Sequence, residues 1–273
     1  MRNRTWPLMI LIIALAISIM PLDTSEMKEN RGIEMKKTGL TLTTLYDNYQ
    51  HDPELRTGWG FSCLVRAGGK STLFDTGADF QTLFHNMGKL GIDPGGIDLI
   101  VLSHIHGDHT GGLEGILGAN PNVTVYALKS FPRGFKESIK SSGAELVEVS
   151  DPVKISEGVY TTGELGTWIR EQSLVINTER GLVILTGCAH PGVVDIVKEV
   201  KGMVNGSVYL VMGGFHLSDT GDDELGPVIS SFRELGVEKA APCHCSGERA
   251  GELFRKEYRD DYIANGVGMV IEI

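Results

Sequence analysis

From residue 39 onward the chain reads as short apolar or alternating runs, punctuated by glycine. Residues 39–46 largely alternate Thr with Leu, the pattern of a half-buried strand. Residues 60–67 and 71–74 predict two more strands, joined by a turn at Gly68 and Gly69. Residues 79–90 place Phe80, Leu83, Phe84, Met87 and Leu90 on one helical face, and Gly91 stands where that helix should stop. A buried strand follows over 98–103, then a glycine-interrupted helix over 109–117 and a strand over 123–128. The pattern over 129–157 is mixed and assigns no element. Beyond it, 172–177 and 181–186 predict a hairpin closed near Glu179 and Arg180. Helices are expected over 193–204, 225–235 and 248–258, and strands over 207–212, 237–242 and 266–273. A strand-rich start followed by alternating strand and helix fits two β-sheets with helices outside, an α/β (α+β) fold.

The N-terminus differs in kind. Arg2 and Arg4 precede an apolar run over 6–20 and a polar segment over 23–37. A basic start before a short apolar run is the pattern of a signal peptide, and Ala16-Ile17-Ser18 offers a small-x-small cleavage site. The run falls short of the roughly 20 residues of a spanning helix. A short uncleaved anchor is the alternative, giving membrane attachment through the N-terminus with the domain outside the cytoplasm. A true start at Met27 or Met35 would instead leave the domain in the cytoplasm. The expected organisation is thus 1–36 as signal peptide or short anchor plus linker, and 37–273 as one domain. Its 41% hydrophobic and 22% charged residues suit a packed globular core. The net charge of −10 argues against nucleic acid, which needs Lys and Arg to displace phosphate counterions. It leaves a small anionic substrate open, because bound cations can dominate a site's charge.

The chemistry concentrates after the strand at 98–103. Within six residues stand His104, His106, Asp108 and His109, where the chain leaves a buried strand. Imidazole nitrogen and carboxylate oxygen suit a borderline divalent cation, with Zn favoured and Fe or Mn possible. His104 and His106 should point the same way, since side chains alternate along an extended segment. Gly107 permits the turn between the two pairs. His190, His216 and His244 each follow a later predicted strand, beside glycine or another small residue. One such histidine alone would more often be an ordinary one; three in succession point to a shared site. His51 and His85 read as solvated and inert. Asp75 ends a strand and either accepts a hydrogen bond from a ligand histidine or caps the next helix. Cys63 reads as a buried small hydrophobe. Cys188, Cys243 and Cys245 read as packing or supporting residues, with metal contact left open for Cys243 and Cys245.

The run His104-x-His106-x-Asp108-His109 resembles the signature of the metallo-β-lactamase superfamily. So does the order of Leu-Phe-Asp75-Thr-Gly ahead of it and His190 and His244 behind it. The resemblance covers nearly everything from Gly39 to Ile273. It implies a four-layer αββα sandwich with two metal ions at one edge. His104, His106 and His190 would hold the first ion, and Asp108, His109 and His244 the second. Many members bridge the ions with an aspartate on the loop before the last ligand; here that loop reads Gly213-Gly214-Phe215-His216-Leu217. His216 is then a ligand or a proton donor. Tyr46-Asp-Asn48, Trp59-Gly-Phe-Ser and Gly-Gly-Phe-His216-Leu are similar to one branch of the superfamily. That branch includes a synthase of methanopterin biosynthesis, which joins a dihydropterin diphosphate to an aromatic ribosyl phosphate.

The resemblance implies a metal-dependent hydrolase of a small phosphorylated or ester substrate, using metal-activated water. Asp108 would orient that water and His216 would protonate the leaving group. A dihydropterin-type transferase releasing diphosphate is the alternative. A non-catalytic metal-binding or sensor module ranks last, because all six ligand positions are filled. Asn48, Trp59 and Phe215 are candidate pocket walls, with core packing the competing reading for Trp59 and Phe215.

Overall fold

The computed structural model describes residues 33–273; the basic and apolar N-terminal stretch, with its possible cleavage site, lies outside them. A seven-stranded sheet contains β1 (Leu40–Tyr46), β2 (Ser62–Ala67), β3 (Lys70–Phe74), β4 (Leu99–Val101), β5 (Thr124–Leu128), β6 (Glu145–Val149) and β13 (Val270–Glu272). Its order is β13-β1-β2-β3-β4-β5-β6. A six-stranded sheet has the order β12-β11-β10-β9-β8-β7. Its strands are β7 (Val153–Ser156), β8 (Val159–Thr161), β9 (Leu174–Thr178), β10 (Gly181–Thr186), β11 (Val208–Gly214) and β12 (Lys239–Cys243). The helices are α1 (Phe80–Lys89), α2 (Gly107–Thr110), α3 (Leu113–Ala119), α4 (Arg133–Ser141), α5 (Val193–Met203), α6 (Asp222–Glu234) and α7 (Glu248–Tyr258).

Three apolar layers join these elements into an αββα sandwich. The middle layer lies between the sheets and includes Leu42, Val65 and Val101 from one and Leu174, Val183 and Met212 from the other. One outer layer packs Leu83, Met87, Ile116 and Ile139 of the helices against Leu73 and Ile100. The opposite layer packs Ile196, Val200, Phe232 and Phe254 against Leu182, Ile184 and Val211. The central strands are therefore apolar on both faces. In β10, Leu182 and Ile184 face the helices while Val183 and Leu185 face the other sheet. Met35 belongs to the helix-side layer and Ile33 N donates to Met203 O at 2.7 Å, so the packed chain reaches ahead of Lys37.

Two differences from the sequence pattern bear on the site. The helix expected over 109–117 is split into α2 and α3, because Gly111 and Gly112 run against the backbone of residues 76–78. A Cβ on Gly111 would lie 2.0 Å from Ala78 O. The unassigned stretch 129–157 holds α4, β6 and β7. β6 is an edge strand, half exposed along its length, so neither periodicity dominates its sequence.

Candidate metal centre

The six expected ligands meet at one end of the sandwich. His104 and His106 follow β4, Asp108 and His109 lie in α2, His190 follows β10 and His244 follows β12. The backbone turns sharply there. Asp75, Ala189, His216 and His244 take φ values of 57°, 60°, 53° and 49°, a left-handed conformation that costs energy for residues with a Cβ. Each stands within three residues of a strand's C-terminus, where the turn aims the loop back over the sheet edge.

Two donor sets result. His104, His106 and His190 bring one nitrogen each to within 4.8 Å of one another. Asp108, His109 and His244 do the same together with Cys188. Expected as a packing residue, Cys188 sits with its Sγ 3.2 Å from His109 Nε2.

Hydrogen bonds fix which nitrogens face inward. Asp75 is fully buried and accepts from Ser103 N, Ser103 Oγ and His109 Nδ1, each at 2.7 Å. The Ser103 hydroxyl gives its proton to Asp75, so it can only accept from His104 Nδ1 at 2.9 Å. Asn48 Nδ2 donates to His244 O at 3.2 Å, which turns Asn48 Oδ1 towards His244 Nδ1 at 3.0 Å. The Nε2 atoms of His104, His109 and His244 are thereby left as bare lone pairs. Yet His109 Nε2 and His244 Nε2 lie 3.2 Å apart, and His104 Nε2 lies 3.1 Å from His106 Nδ1. The facing His109 and His244 lone pairs repel at that distance unless a cation or a proton lies between them. His190 Nε2 is buried without a hydrogen-bond partner among the described residues. These nitrogens, with the Asp108 carboxylate, fit a borderline divalent ion.

The electrostatics agree. Burial, and then the surrounding histidines, hold His104 well below the ordinary imidazole range. Burial, then His216 and His106, bring His190 down to about 4. Burial alone would raise the Asp108 carboxyl, but the His244 hydrogen bond and the His109 and His244 charges hold it at about 2. His109 goes the other way: burial opposes its charge, but the carboxylates of Asp75, Asp108 and Glu171 together outweigh burial and make its free nitrogen more basic. A basic Nε2 is a strong donor to a cation as well as to a proton.

Glu171 carries no signal in the sequence, yet it organises the third ligand loop. It is fully buried, and its Oε1 accepts from the N–H groups of Gly187, Cys188 and Ala189 at 3.0, 2.9 and 2.8 Å. Its Oε2 accepts from His190 N at 2.9 Å. Gly187 lets the same loop pass against Ser103 and Asp75, since a Cβ there would meet Ser103 Oγ at 2.1 Å.

His216 stays outside both donor sets. It is exposed, its ring centroid lies 4.4 Å from that of His190, and it groups instead with Cys188 and Cys245. Trp59 is 56% exposed and its ring centroid lies 5.0 Å from that of His244, so it is a wall of the site and not a core residue. Phe215 does both: it is buried against Phe232 and Phe254, and it also lines the cavity beside His190 and His216. Asn48 serves to orient His244. His51 is exposed, His85 is half-buried, and neither joins a donor set. Cys63 is buried between the sheets.

Two mixed sheets sandwiched by helices, with clustered histidine, aspartate and cysteine donors on strand-end loops, define a class of metal-dependent enzymes. Residues 58–202 match the family model described as Metallo-beta-lactamase superfamily, and the chain belongs to that superfamily of enzymes. It is 32% identical to the 7,8-dihydropterin-6-methyl-4-(β-D-ribofuranosyl)-aminobenzene-5'-phosphate synthase of Methanocaldococcus jannaschii, over 85% of this chain and 95% of that one. A solved structure described as a metal-dependent hydrolase of the β-lactamase superfamily is 28% identical. It superposes with a TM-score of 0.73, covering 86% of this chain and 99% of that chain. A metallo-β-lactamase fold protein of Bacillus subtilis shares the fold at 14% identity, with a TM-score of 0.64, covering 87% of this chain and 100% of that chain.

Proposed function

We propose that the chain is a metal-dependent hydrolase of a small phosphorylated or ester substrate. His104, His106 and His190 would hold one divalent ion, and Asp108, His109 and His244 a second, with Zn the ion these donors suit best. The observation that carries this reading is the pair of inward lone pairs on His109 and His244, 3.2 Å apart, beside the Asp108 carboxylate. When bound, the ions supply Lewis acidity, which acidifies water and polarises a phosphoryl or ester oxygen. Asp108, held ionised by His244 and His109, orients the attacking water through its carboxylate. His216, exposed beside His190, gives a proton to the leaving group. Trp59 offers the substrate a flat apolar wall next to His244.

The test is metal content of the full chain together with turnover of phosphodiester, phosphomonoester and lactone substrates. Hydrolysis of one of these by metal-loaded protein, lost on chelation, is the expected result. His216→Ala should keep the metal and lower kcat by on the order of 10²–10⁴-fold. An unchanged kcat would remove His216 from the chemistry.

A second reading is a transferase that releases diphosphate. It is favoured by the 32% identity to the dihydropterin synthase and by the exposed face of Trp59, which suits a planar heterocycle. Full metal content without hydrolysis of the panel, and product formation from a dihydropterin diphosphate, would decide for it.

A further inference from the structure

We propose that the Cys188 thiolate is the fourth protein ligand of the ion assigned to Asp108, His109 and His244. This rests on the metal-centre reading above and extends it.

The distances describe a closed polyhedron. Cys188 Sγ lies 3.2 Å from His109 Nε2, which lies 3.2 Å from His244 Nε2. Asp108 Oδ2 lies 3.7 Å from the first of these nitrogens and 3.3 Å from the second. All four donors fall within 4.8 Å of one another. A tetrahedral zinc with the usual bond lengths separates its nitrogen and oxygen donors by roughly 3.3 Å and its nitrogen and sulfur donors by roughly 3.6 Å. The four atoms thus occupy corners of about the right size. The backbone that carries the thiol is also fixed: the Cys188 N–H donates to Glu171 at 2.9 Å, and the residue is only 4% exposed. On loading, the thiol proton leaves to solvent and the sulfur binds as thiolate.

The same sulfur also lies within reach of His216 and Cys245, so a soft site of those three residues is the competing arrangement. That trio has one ligand fewer, and its histidine is exposed. A closed set of four protein donors around one ion has a mechanistic consequence. The ion held by His104, His106 and His190 has three protein ligands and keeps the position that water and substrate need.

The test uses the full chain, stripped of metal under a reductant and reloaded with Co²⁺. Both sets should load, and a sulfur-to-cobalt charge-transfer band should appear in the near ultraviolet. Cys188→Asp, which replaces the thiolate by a carboxylate, should keep the cobalt and lose the band; Cys245→Ser should keep both. A band that survives in Cys188→Asp, or vanishes in Cys245→Ser, overturns the proposal. Where Cys188→Asp fails to fold, cadmium NMR of the unaltered protein decides. One of two resonances in the thiolate range supports it, and none there overturns it. Cobalt bound in both sets without any band refutes the thiolate alone. Failure to bind cobalt at all refutes the metal-centre reading and this assignment with it.

Discussion

His106→Ala should remove metal and activity while leaving the fold in place. His106 supplies one of three nitrogens in its set, and among the described residues no other donor joins that set to replace it. Its side chain makes no capping hydrogen bond to α2; the helix start is held by its carbonyl, which accepts from His109 N and Thr110 N at 3.1 Å each. Alanine keeps that carbonyl, and the half-buried ring contributes little to the core, so the stability loss should stay within about 1 kcal/mol. The chemistry should suffer far more. Bound cations carry the largest charge in such a site, and losing one should lower kcat by on the order of 10³-fold or more. Elemental analysis, turnover and circular dichroism of the variant check the three parts separately. Full metal content with near-normal turnover would show that His106 is no ligand.

Glu171→Ala should cause the largest loss of stability of any single change near the site. Four backbone N–H groups converge on this carboxylate, and alanine would leave three buried ones and the part-buried His190 N–H without this acceptor. Each unpaired donor costs roughly 1–3 kcal/mol, and water entering the space recovers part of that. A loss of about 4 kcal/mol or more is expected, which for a domain of this size lowers Tm by roughly 8–15 °C. Glu171→Gln should be milder. Its one oxygen can still accept the three N–H groups now held by Oε1, but its amide would turn a donor towards the His190 N–H. Denaturant titration at constant m distinguishes these cases. A midpoint for Glu171→Ala equal to that of the unaltered chain would show that the His190 loop is held by other contacts.

The two residues differ instructively in how far the sequence revealed them. His106 sits in a dense run of donors directly after an apolar strand, and spacing alone exposes such a cluster. The same holds for Asp75, which closes a strand ahead of a Gly turn. Glu171 is flanked by Arg170 and Gln172 and reads as solvated surface. Its burial follows from the β8 to β9 connection passing beneath the β10 loop, a tertiary fact with no local pattern. Cys188 was legible as a small buried residue but not as a donor, because its partners lie 79 and 57 residues away, in His109 and Cys245. The fold divides in the same manner. Strands buried on both faces, such as β10 and β11, announce themselves as apolar runs. The edge strands β6 and β7 are mostly part-exposed or exposed, so packing leaves little mark on their sequence.

Asp75 has a consequence for how the centre fills. One carboxylate oxygen receives the Ser103 hydroxyl, which supports His104, and also the His109 ring, which belongs to the other set. Were both sets to bind an ion, ordering either ring would order the support of its neighbour, and the shared carboxylate would link the two sites. Asp75, with Ser103 and His109 already bound to it, would then favour filling both sets together over filling either one alone. Native mass spectrometry at half-saturating metal should then show mainly empty and doubly loaded chains. A dominant singly loaded species would mean that the sites fill independently.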